Sequence, residues 1–67
     1  MIITLNGEKR EIPESTTVQG LLEMLTIQSQ RVAVELNEHI VKKDNYAGTT
    51  LQEGDSLEVV SFMQGGA

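Results

Sequence analysis

The chain has 67 residues, no cysteine and a formal net charge of −5 at pH 7. A chain of this length buries one core and no second one, and without cysteine it has no disulfide framework, thiolate nucleophile or cysteine zinc site. The acidic balance speaks against a nucleic-acid surface, whose affinity comes largely from clustered Lys and Arg, and makes basic proteins the expected partners. No apolar run reaches membrane-span length, and Met1 leads straight into a strand pattern instead of a basic segment and signal core. A cytoplasmic protein without membrane association is expected.

Residues 2–5 read as a strand that turns at Asn6-Gly7 and returns through residues 8–12, because Asn-Gly suits the two positive φ angles of a tight hairpin. Pro13 lacks an amide donor and ends the return strand, and the hydroxyls of residues 15–17 suit a helix start. Thr16 with Gln19 resembles a capping box, and Glu14 lies where the helix dipole favours an anion. Val18, Leu21, Leu22 and Leu25 fall at i, i+3, i+4 and i+7, the apolar stripe of a short helix lying on a sheet. Gly20 inside that helix costs about 1 kcal/mol relative to alanine, and close helix–sheet packing is the expected reason for it.

Residues 26–30 lose the helical period and form a loop. Residues 31–36 alternate, so Val32, Val34 and Leu36 share one face of a half-buried strand. Asn37-Glu38 reads as a turn into a short strand over 39–42, followed by a polar loop containing Tyr46 and anchored by Leu51. Gly54-Asp55 turns the chain into a last strand over 56–62. The expected core is Ile3, Leu5, Val18, Leu21, Leu22, Leu25, Val32, Val34, Leu57 and Val59. This order predicts an α+β fold with a mixed sheet covered on one face by a single helix. Residues 1–63 make the domain and 64–67 a flexible tail.

The tail holds Gly65-Gly66, an unbranched pair that fits a narrow channel in another protein's active site. Such an end suits a substrate of other enzymes, and the chain offers no activated nucleophile with its base or framed pair of carboxylates that would make it an enzyme itself. His39, the single histidine, lacks partners for metal or general-base work. Strand parity puts Glu35 and Glu58 on the sheet face opposite Val34, Leu57 and Val59, together with Val60 and Phe62. Glu35, Glu58, Val60, Phe62 and Met63 are the candidate docking residues.

The element order is similar to that of the ubiquitin-like β-grasp fold. Residues 54–60, followed by Gly65-Gly66, resemble the end of a thiamine-biosynthesis sulfur carrier of the ThiS type; residues 34–37 with Ile40-Val41 resemble its central strand pair, and Tyr46 stands where members often carry an aromatic. The resemblance implies a ThiF-like adenylating enzyme that uses ATP to activate the Gly66 carboxylate, sulfur transfer to give a terminal thiocarboxylate, and delivery to thiazole synthase or another acceptor. The carrier itself would bind no cofactor. Ala67 departs from the pattern, because it holds the Gly66 carbonyl in an amide. Families that feed cysteine or homocysteine synthesis remove such residues with a metalloprotease, which makes Gly66-Ala67 a candidate processing site. A ubiquitin-like modifier using the same activated tail is the other alternative.

Overall fold

The computed structural model describes residues 1–61. Strands β1 (Ile2–Leu5) and β2 (Glu8–Glu11) form the hairpin, helix α1 spans Val18–Met24, and β3 (Val32–Leu36), β4 (His39–Val41) and β5 (Ser56–Ser61) follow. The 5-stranded sheet has the order β2-β1-β5-β3-β4. β5 runs parallel to β1 and antiparallel to β3, so the two ends of the chain's fold meet in the middle of one mixed sheet. This is the β-grasp arrangement expected from the element order.

Both hairpins turn through left-handed residues, Asn6 (φ 49°) with Gly7 (φ 84°) and Asn37 (φ 51°) with Glu38 (φ 72°). The two-residue turns fix the register: Leu5 faces Glu8, and Leu36 faces His39. β2 stops at Glu11, one residue short of the expected end, although the Ile12 amide still bonds the Met1 carbonyl at 2.8 Å. β4 likewise stops at Val41, before Lys42. Single turns of 3-10 helix form at Ser29–Arg31, which takes Arg31 out of the strand expected over 31–36, and at Lys43–Asn45, in a segment read from the sequence as loop.

The helix start differs from the capping box. Thr17 is the N-cap, and its Oγ1 accepts from the Gly20 amide at 3.0 Å. The Thr16 hydroxyl donates back to the Pro13 carbonyl at 2.6 Å, while the Gln19 amide reaches Glu23 at 3.0 Å, so neither side chain is left for the reciprocal pair. Glu14 lies outside the first helical turn and faces the Met1 ammonium at 3.7 Å. A Cβ on Gly20 would come within 3.3 Å of the Thr17 Oγ1, so the glycine makes room for the cap and not for the sheet. At the other end, the Ile27 amide bonds the Leu22 carbonyl and the Thr26 amide that of Glu23, a Schellman closure with Thr26 at φ 60°.

Eight of the ten expected core residues are buried, among them Val18, Leu22 and Val34 with no exposed surface; Leu25 and Val59 are half-buried at its margin. Ile12, Tyr46 and Leu51 complete the core. Tyr46 brings the loop before β5 under the sheet, with its hydroxyl donating to the Val32 carbonyl at 3.3 Å. Burial pushes its phenol above the ordinary tyrosine range. The Thr17–Thr50 bridge and the bond from the Val18 amide to the Thr49 carbonyl tie that loop to the helix start. Among the described residues, no helix is long and apolar enough to cross a membrane.

Candidate functional site

The helix covers one face of the sheet and leaves the other open, and the alternation along β3 and β5 decides what the open face carries. On β5, Leu57 is buried and Val59 half-buried toward the helix, whereas Ser56, Glu58 and Val60 are exposed. On β3, Val32 and Val34 are buried and Glu35 is exposed. The register then sets Glu35 directly opposite Glu58, and Ala33 opposite Val60. The expected grouping of Glu35, Glu58 and Val60 is thus present. Phe62, Met63, Gly65, Gly66 and Ala67 lie outside the described residues.

The strand pairing adds a residue that reading from the sequence missed. Ile40 on β4 faces Glu35 and is 70% exposed, while Val60 is 57% exposed. A row Ile40, Glu35, Glu58 therefore crosses three strands beside Val60. Its signal was available: once Asn37-Glu38 is a two-residue turn, residue 40 must oppose residue 35.

Two like charges directly opposed on adjacent strands destabilise the sheet that carries them. Neither carboxylate forms an ion pair among the described residues, where the sole one joins the Met1 ammonium to Glu14. An exposed apolar pair around two uncompensated carboxylates suits contact with an apolar surface that brings its own Arg or Lys. Among the described residues, no three His, Cys, Asp or Glu side chains gather into a metal-binding group, and His39 is exposed at the start of β4. What the site offers is an exposed face of two carboxylates and two apolar side chains on the last strands of the sheet.

Comparison with known proteins gives the family. The model of the ThiS family matches residues 3–66. The chain is 45% identical, over 100% of its length, to a thiazole synthase of Paramagnetospirillum magneticum, of which it spans only 21%. It is 38% identical to the sulfur carrier protein ThiS of Thermus thermophilus, covering 97% of this chain and 100% of that protein. The crystal structure of the thiamine biosynthesis protein ThiS from Geobacter metallireducens superposes with a TM-score of 0.85 at 36% identity, covering 98% of this chain and 100% of that one. With a family match over nearly the whole chain, full-length relatives and the same fold, the chain belongs to the ThiS family.

Proposed function

We propose that this chain is a protein-borne sulfur donor for thiazole formation in thiamine biosynthesis, acting in the cytoplasm as a substrate of other enzymes. The observation that carries the reading is the extent of the family match, which runs through Gly65 and ends on Gly66. In this reading a ThiF-like enzyme docks on the face bearing Glu35, Ile40, Glu58 and Val60, with Phe62 and Met63 continuing the contact. The Gly66 carboxylate attacks the α-phosphorus of ATP and expels pyrophosphate. Hydrosulfide then adds to the acyl carbon, AMP leaves, and a proton is released to give the thiocarboxylate. An unactivated carboxylate would not undergo this exchange, since it lacks a leaving group. Glycine at both positions keeps side chains from the channel walls and allows extended conformations closed to other residues.

The peptide bond between Gly66 and Ala67 has to be cleaved before any of this can occur, which supports a processing protease as a further partner. That requirement is also what favours the second reading, a carrier for cysteine or homocysteine synthesis. Identity to proteins named thiazole synthase supports the thiamine pathway.

Intact-protein mass spectrometry tests the reading. Residues 1–66, incubated with the cognate adenylating enzyme, ATP and sulfide, should exchange one terminal oxygen for sulfur, and a thiol-selective reagent should label only Gly66, because the chain has no cysteine. The form retaining Ala67 should not react at Gly66. Absence of both adenylate and thiocarboxylate on residues 1–66 would overturn the carrier reading; thiolation at Ala67 would remove the processing step and keep the carrier.

A further inference from the structure

β5 lies between β1 and β3, but β1 accompanies only its first half. The parallel register ends at Leu5 opposite Leu57, because the chain then turns at Asn6-Gly7. The Asn6 amide still bonds the Leu57 carbonyl at 2.9 Å. In a parallel ladder that continued, the Val59 amide would donate to the backbone carbonyl of residue 6, and the Val59 carbonyl would accept from the amide of residue 8. The side chain of Asn6 supplies both groups. Its Oδ1 accepts from the Val59 amide at 2.8 Å, and its Nδ2 donates to the Val59 carbonyl at 3.3 Å. A side-chain amide thus stands in for the missing peptide and carries the ladder one rung further along β5. Asn37 does the corresponding work at the opposite end and on the opposite side: its Oδ1 accepts from the Ser56 amide at 3.0 Å, and its backbone amide donates to the Ser56 carbonyl at 2.7 Å.

We propose that Asn6 is a positioning residue for the C-terminal tail, its side-chain amide holding the second half of β5 in line where β1 has turned away. The proposal rests on the tail being the reacting part. The Asn6–Val59 contact lies two residues before Ser61 and beside Val60; β3 pairs the other side of β5 through Ser61, so loss of the contact leaves the strand end held from one side only. The carboxylate to be adenylated would then meet ATP in the right orientation less often. Asn37 pins the opposite end of β5, at Ser56, and its loss leaves the contacts of Val59, Val60 and Ser61 as they were. In Asn6 the residue type serves twice, since it accepts positive φ in the turn and presents both a donor and an acceptor to Val59.

The test compares Asn6→Gly, Asn6→Asp and Asn37→Gly. Glycine tolerates the turn conformation at either site and removes only the side-chain amide. Amide hydrogen exchange on the full chain reads the contact without reference to any reaction, and initial rates of pyrophosphate release by the adenylating enzyme on residues 1–66 read its use. Asn6→Gly should speed exchange at Val59 and at Val60, whose amide faces Ala33 of β3, about tenfold relative to Val34, and lower kcat about tenfold. Asn37→Gly, at comparable thermal stability, should keep kcat within about twofold. Asn6→Asp keeps the acceptor for the Val59 amide but sets an oxygen against its carbonyl, and should fall between. Equal kcat for Asn6→Gly and Asn37→Gly, or unchanged exchange at Val59 and Val60 in Asn6→Gly, overturns the proposal. If the unsubstituted residues 1–66 are not adenylated, the carrier reading has failed, and the exchange comparison alone decides whether Asn6 holds the strand.

Discussion

Replacing Glu58 with glutamine should stabilise the domain while weakening its hold on a basic partner. Glu58 opposes Glu35 in a pair whose backbones exchange hydrogen bonds, a geometry with Cα atoms about 5.5 Å apart. Carboxylates about 6 Å apart in water repel by about 0.7 kcal/mol, which ions at physiological strength reduce to about 0.3 kcal/mol. For a domain of this size, relief of that order raises Tm by about 1–5 °C, with the larger gain at low salt. Glu35→Gln should give a similar gain, and the double substitution little more than either alone, because one neutral side chain already removes the repulsion. Thermal denaturation at 10 mM and 1 M salt measures the effect, with the gain vanishing at the higher concentration. The same substitutions should slow association with the adenylating enzyme, by halving the charge that faces its basic side chain. A lower Tm for Glu58→Gln at low salt, or fully additive gains in the double variant, would refute the reasoning.

Leu22 has no exposed surface, and Leu22→Ala should cost about 2–5 kcal/mol in urea denaturation, close to the whole stability of so small a domain; an unchanged midpoint would reject the helix face. Thr26→Gly should raise stability by about 1 kcal/mol, since a β-branched residue now occupies the left-handed position of the Schellman closure; an unchanged or lower urea midpoint would show that Thr26 is not strained. Because burial raises the Tyr46 phenol above its unfolded value near 10, the folded chain keeps a proton that the unfolded chain loses at alkaline pH. That stability contribution is complete below about pH 10 and declines as pH rises through the folded value, so the difference in urea midpoint between the parent and Tyr46→Phe should shrink above pH 10. A difference that widens there would give the wrong sign.

The strands and the helix face were legible because each rests on local periodicity that packing reinforces. Val18, Leu21 and Leu22 repeat with the helix, while Val32 and Val34 alternate with the strand, and all five are buried. The cap was less legible, since Thr16 and Thr17 are equally good hydroxyl donors of a lone pair. Which of them caps is decided by the tertiary bond from the Leu51 amide to the Thr16 carbonyl and by the Thr17–Thr50 bridge, contacts with a loop more than thirty residues away. Both Tyr46 and Leu51 fell outside the periodic segments; Leu51 was legible as a loop anchor because it is a lone apolar residue in a polar stretch, whereas no periodicity marked the full burial of Tyr46. On the functional side, Glu35, Glu58 and Val60 followed from parity alone, whereas Ile40 needed the register and Asn6 needed the three-dimensional path of β5. A turn residue that bonds a strand 53 positions away has no local signature beyond being asparagine.

β5 concentrates constraints that are usually distributed. Its odd positions, Leu57 and Val59, belong to the core and its margin, while its even positions, Glu58 and Val60, lie on the exposed face proposed for docking. Its backbone is bonded on one side by β3 and on the other first by β1 and then by the Asn6 side chain. Alternation therefore separates folding from recognition within six residues: a change at Leu57 acts through the core, and a change at Glu58 acts through the partner. The opposed glutamates fit this division. Neither supports the fold, and their mutual repulsion can be removed by one substitution, so stability gives no reason for the pair, whereas the cationic side chain of the proposed docking partner would.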